Sequence, residues 1–334
     1  MPTTSAFYIG GPEVMLRIRG MEITAERGTG RMRTGPWLAD PDAGIARGAL
    51  GVALDDVTGY LVDSGSPDGQ WPVSLGIRMD FIADPPLDGS PLDLSGELVA
   101  RYDGGAMSRG VATDASGATI ATMIQRSHLV SAPGTPGDHA TPELLSAPES
   151  PVREQLGLRT STPDRLTMDP TPLSANGMGS VHGGILVCSS ELAAMTAIEA
   201  GGRFRTASVD IVYVRPCIAS ETTTFTSEIV HRGRSLSVVR VVSSNSPGRA
   251  SSIATSCCSG SDAPKERLSP AWLRGTVRGW QGALRRTSSA RHPTRRAWPH
   301  LARRRDRGLC RRLCTTQSFA CRFVITFSHK RPAG

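Results

Sequence analysis

The chain has 334 residues, room for about two domains. Its 39% hydrophobic content, with 36 glycines and 24 prolines, excludes a collagenous or wholly disordered protein, and no apolar run approaches the roughly 18 residues of a membrane span. Residues 1–262 carry 20 arginines, no lysine and 28 carboxylates, a net charge of −8, while residues 263–334 carry +16, so the overall basicity is no argument for nucleic-acid binding by the body of the chain.

In chain order, residues 47–61 place Ala53, Leu54, Val57, Tyr60 and Leu61 on one helical face behind Arg47-Gly48-Ala49. Leu75, Ile77, Met79 and Phe81 then alternate with Gly76, Arg78 and Asp80, which is strand periodicity. Three further strands follow within 96–102, 106–113 and 117–130, with turn signals at 103–105 and 114–117. Residues 132–165 are rich in Pro, Ser, Gly and Thr and read as a linker with one short helix.

The second half repeats that order. His182-Gly183-Gly184 opens a helix with Ile185, Cys188, Leu192 and Met195 on one face, stopped by Gly201-Gly202. Val209, Ile211 and Tyr213 alternate, and strands follow within 227–232, 235–243 and 250–258. The expected fold class is therefore α+β in duplicate, with residues 1–131 as the first unit, 166–262 as the second and 263–334 as an Arg-rich tail. The tail holds no sustained apolar period, and its composition fits disorder or an out-of-frame reading; any RNA or acidic-membrane affinity is expected there alone.

The seven cysteines include the adjacent pair Cys257-Cys258 and do not suggest a secreted disulfide framework. Residues 1–15 show no cationic segment followed by an apolar stretch, which predicts a cytoplasmic location. A lysine-bearing phosphate loop is impossible in a body without lysine, and no Gly-x-Ser-x-Gly elbow occurs. Cys310, Cys314 and Cys321, with His300 or His329, match no structural zinc spacing, so no metal is expected.

Asn176, then His182-Gly183-Gly184, then Glu191 nine residues after the histidine, then Arg215-Pro216 closing the next strand form a pattern that resembles the hotdog-fold acyl-CoA thioesterases of the phenylacetate and 4-hydroxybenzoyl-CoA type. In the first half Arg47-Gly48-Ala49 stands where His-Gly-Gly would, Asp56 lies nine residues after Arg47, and Pro41 replaces the asparagine. The resemblance implies two tandem hotdog units, each a curved antiparallel sheet wrapped around one long helix. It also implies hydrolysis of an acyl-CoA substrate without metal or redox cofactor, and self-association of the tandem chain. A non-catalytic acyl-CoA or lipid-binding protein of the same fold is the alternative.

Helix-end glycines leave backbone N–H groups free to polarise a thioester carbonyl, and a carboxylate deeper in a helix serves as base or nucleophile. If glycines and carboxylate come from opposite units, as in the family, Gly183 and Gly184 with Asn176 face Asp56, and Gly48 faces Glu191. Each residue also has a plain reading. Glu191 would otherwise be a solvated helix residue, either Asp56 or its neighbour Asp55 would lie on the surface, His182 would be a structural helix-start residue, and Asn176 would form a turn. Arg232 and Arg234 flank a turn glycine and are either solvated or, as the resemblance implies, hold CoA phosphates. Cys188 reads as packing.

Overall fold

The computed structural model describes residues 9–131 and 149–260. The expected Arg-rich tail and the first part of the linker lie outside the described residues. The first half runs α1 (Gly11–Met15), β1 (Ile18–Ile23), β2 (Arg27–Arg33), the two-residue strands β3 (Ala39–Asp40) and β4 (Gly44–Ile45), α2 (Leu50–Asp63), β5 (Gln70–Phe81), β6 (Pro91–Tyr102), β7 (Gly105–Thr113) and β8 (Thr119–Ser131). The second half runs α3 (Val152–Gln155), β9 (Leu158–Thr162), β10 (Arg165–Met168), α4 (Gly183–Ala197), β11 (Phe204–Tyr213), β12 (Thr223–Arg232), β13 (Leu236–Ser244) and β14 (Ser252–Gly260). The short helix expected in the linker is α3, and β9 also falls within the span read as linker. There the Pro- and Thr-rich composition masks an edge strand that pairs with β10.

Twelve strands form one antiparallel sheet in the order β1-β2-β6-β7-β8-β5-β11-β14-β13-β12-β10-β9. The order reads the same from either end once each strand is exchanged for its counterpart, so the sequence repeat is a structural repeat. The halves join where β5 pairs with β11, Met79 opposite Val209 and Ile77 opposite Ile211. All four of these side chains are buried on the inner face, which fixes the register, because a one-residue slip would turn them to solvent.

Each half wraps its six strands around one helix. From Gly184 to Ala197 every residue of α4 is buried, including Glu191. It is enclosed rather than amphipathic, which removes the solvated reading of Glu191. Burying side chains such as Leu54 and Leu192, both fully enclosed, contributes about 1.5–3 kcal/mol each. The two helices pack on one another at their N-terminal ends, where a Cβ placed on Gly184 would lie 2.3 Å from the backbone nitrogen of Val52. The second glycine of the His-Gly-Gly string thus permits the helix crossing. Beyond α4 the chain turns through left-handed Gly201 and Gly202 (φ 51° and 74°), the expected stop.

The short helices reach across the repeat. α1, from the first half, packs on the turn Pro172–Ser174 of the second, so closely that a Cβ on Gly11 would sit 2.0 Å from the Pro172 carbonyl oxygen. α3, from the second half, packs on β3 of the first. Each unit therefore lays a short strap on its neighbour.

Candidate active site

His182 caps α4, with Nδ1 3.1 Å from the amide nitrogen of Gly184. That amide also donates to Asp55 Oδ2 at 3.1 Å, and Asp55 belongs to α2 of the other half. The other Asp55 oxygen accepts from Gln125 Nε2 at 2.5 Å and from the Ser74 hydroxyl at 3.2 Å. Asp56 turns to the opposite side of the imidazole, its Oδ1 3.1 Å from Nε2. Its second oxygen is buried with no hydrogen-bond partner among the described residues. Glu13, on the strap α1, accepts from the Gly10 N–H at 2.7 Å and brings Oε1 to 3.8 Å from His182 Nε2.

Gly183 stands at the first turn of α4. Its N–H has no hydrogen-bond partner among the described residues, while its carbonyl accepts from Tyr213 at 2.9 Å. A helix start leaves such amides free and carries partial positive charge. A Cβ on this residue would lie 2.6 Å from Asp55 Oδ2, so the carboxylate sits directly over the glycine. Gly183, Asp55, Asp56, His182 and Glu13 all line a cleft of about 530 Å³ between the two halves. Its other wall is largely apolar, with Trp71, Val73, Val130 and Leu186.

Three buried carboxyls around one imidazole decide the charges. Burial alone would lower the His182 pKa, but the hydrogen bond it donates to Asp56 and the charges of Asp55, Asp56 and Glu13 outweigh it and raise the value to about 10. The protonated ring donates from Nε2 to Asp56 and lies with Nδ1 3.4 Å from Asp55 Oδ2 as an ion pair; with Nδ1 carrying a proton, the Gly184 amide donates to Asp55 alone. Burial raises Asp55 and Asp56, with His182 pulling each back down. Glu13 is raised to about 7, first by burial and then by the negative charge of Asp56. Glu13, Asp56 and His182 each bring one potential metal-ligand atom within 4.8 Å of the others. A bound ion there would have to replace the His182–Asp56 hydrogen bond.

The second expected pairing is also formed, and it is closed. Gly48 N donates to Glu191 Oε2 at 2.5 Å, with Glu191 fully buried. Burial pushes the Glu191 carboxyl up to about 7. Arg47, in the place of the histidine, turns away to Asp84 at 2.6 Å and to the Thr206 carbonyl at 2.8 Å. Neither Gly48 nor Glu191 lines the cleft. The straps differ correspondingly. Arg17 and Gly157, both left-handed at φ 57° and 60°, precede β1 and β9, and four residues before them stand Glu13 and Arg153. Glu13 meets His182, whereas Arg153 meets Asp40 at 2.7 Å and Asp42 at 3.2 Å.

Of the expected residues, Gly183, Gly184, His182 and Asp56 come together. Asn176 lies on the cleft wall with its Oδ1 accepting from Met178 and Ser180 amides, a turn-forming role. Arg232 donates to the Ile198 carbonyl at the far end of α4, and neither it nor Arg234 lines the cleft. A helix of 15 residues spans roughly 22 Å, so Arg232 is remote from Gly183. Asp55, rather than Asp56, meets the helix-start amide, and neither is a surface residue. Glu13, Ser74, Gln125 and Tyr213 complete the site; only the Asp-Asp doublet left a trace in the sequence.

Solved structures share this architecture across most of the chain. An acyl-CoA thioesterase II from Mycobacterium marinum is 11% identical with a TM-score of 0.50, covering 77% of this chain and 99% of its own. A Lactobacillus plantarum protein assigned provisionally as an oleoyl thioesterase is 14% identical with a TM-score of 0.51, covering 70% and 96%. The fold is a double hotdog. A 12:0-ACP thioesterase from Umbellularia californica matches at 10% identity and a TM-score of 0.50, covering 70% of this chain and 94% of its own. No protein-family model and no curated protein sequence matches the chain. Within this double hotdog, one inter-unit site opens on a cleft and its counterpart is sealed.

Proposed function

We propose that the protein hydrolyses acyl-CoA thioesters to free acid and CoA, at the cleft between its two units. The observation that carries this reading is the meeting of an unpartnered helix-start amide, Gly183, with a carboxylate from the opposite unit, Asp55, beside an apolar wall. The Gly183 N–H draws electron density from the thioester carbonyl oxygen, aided by the α4 dipole, and a preformed donor of this kind is worth about 10²–10³ in rate. Asp55 takes a proton from water as the water attacks the carbonyl carbon, or attacks that carbon itself. Asp56 takes a supporting role in this reading, holding His182 so that the imidazolium steadies the Asp55 carboxylate.

The names of the similar structures, an acyl-CoA thioesterase II and a 12:0-ACP thioesterase, are in keeping with this chemistry. The apolar wall fits a hydrocarbon or aromatic acyl group. CoA esters are an intracellular currency, so the reading carries a cytoplasmic location; no helix among the described residues is long and apolar enough to cross a membrane. Exposed Ile124 on β8 and Val212 on β11 flank β5 on the outer face, which supports self-association of the tandem chain through its sheets. Steady-state release of free thiol from short, medium, long and aromatic acyl-CoAs tests the function. Saturable turnover of at least one ester is expected, and binding of every ester without turnover would favour the non-catalytic alternative.

A further inference from the structure

We propose that Glu13, carried on the strap α1 from the first unit, is a third acid of the open site that protonates the departing thiolate. The inference rests on the hydrolytic reading above and extends it to a residue outside the glycine and aspartate machinery.

The strap brings Glu13 to the cleft wall from a segment that precedes the first strand, and a tight contact of Gly11 on Pro172 locks it there. One carboxyl oxygen is held by the Gly10 amide, and the other stands 3.8 Å from His182 Nε2. The groups facing Glu13 are His182 from α4 and Asp56 from α2, with Asp55 beyond the ring. Burial, and after it the negative charge of Asp56, raise Glu13 to about 7, so a share of the molecules carry its proton at neutral pH and it is the available acid of the wall. The equivalent position in the closed site is Arg153, spent on Asp40 and Asp42. The acid therefore occurs on the side where the cleft is open.

The proton count closes. Asp55 accepts one proton as water forms the new C–O bond, the C–S bond breaks with its electron pair on sulfur, and Glu13 gives its proton to that sulfur. Asp55 and Glu13 then return to their starting states by proton exchange through water in the cleft. The products are one carboxylic acid and one thiol.

The test compares an acyl-CoA with the thiophenyl ester of the same acid, whose thiolate leaves without protonation. Glu13→Gln, which keeps an acceptor for the Gly10 amide, should lower kcat/KM on the CoA ester about 10²-fold and leave the thiophenyl ester at the wild-type rate. It should also abolish the fall in CoA-ester activity as pH rises past about 7. Glu13→Asp should retain that alkaline fall and supplies the same comparison should Glu13→Gln not fold. Equal losses on both esters, or no loss on the CoA ester, overturn the proposal while leaving hydrolysis intact. A wild-type protein inert toward both esters removes the hydrolytic reading and this proposal together.

Discussion

Asp55 Oδ2 lies 3.1 Å from the amide nitrogen of Gly184, a residue 129 positions along the chain and in the other unit. That contact ties a carboxylate of α2 to the start of α4, and it forms only because the helices cross where Gly184 carries no side chain. Its counterpart, Glu191 to Gly48, is made at 2.5 Å in a sealed interior. One contact in duplicate serves an open site on one side and a buried joint on the other.

Gly183→Ala should remove activity with little loss of fold. The new methyl would stand 2.6 Å from Asp55 Oδ2 and push the carboxylate off the helix start. Alanine keeps the N–H, so the loss is that of the displaced base: we expect kcat to fall by about 10²–10⁴, measured on the best acyl-CoA, with circular dichroism showing that the fold is kept.

At Gly184 the same substitution meets backbone. A Cβ 2.3 Å from Val52 N and 2.4 Å from the Gly51 carbonyl carbon cannot be absorbed by a side-chain rotation. Gly184→Ala should therefore destabilise the protein by about 1–3 kcal/mol or more, read by chemical denaturation. A stability equal to wild type would contradict the close helix crossing.

The sealed joint should report on pH. Burial raises Glu191 to about 7 from an ordinary 4.5, so the folded state binds a proton more tightly than the unfolded chain. Stability is then greatest below about 4.5 as far as this group is concerned and falls as pH rises toward 7, by about 3 kcal/mol in all. Glu191→Gln should flatten that part of the profile. An unchanged slope of stability between pH 5 and 7 in the variant would sink this account of Glu191.

Much of the double hotdog was legible because the repeat signals it twice. Helix and strand periodicities recur in the same order, and the His182-Gly183-Gly184 string marks a helix start whose partner could be sought in the other half. Alternation in 75–81 and 209–213 gave the two strands that join the units. The strap residues were not legible, since Glu13 reaches His182 only through a fold in which α1 crosses to the opposite unit. The choice between Asp55 and Asp56 was equally hidden. Both lie on α2, and which one meets the amide depends on a helix rotation set by packing against α4. Glu191 looked like a candidate by spacing alone, and spacing could not reveal that Arg47 would fold back onto Asp84 and leave its site closed.

The most direct measurement is acyl-CoA hydrolysis by Asp55→Asn and Glu191→Gln side by side, each checked for folding by circular dichroism. We expect a loss of about 10²–10⁴ in kcat for Asp55→Asn and near-normal turnover for Glu191→Gln. Full activity in Asp55→Asn with activity abolished in a folded Glu191→Gln would place the chemistry in the sealed site and contradict the account.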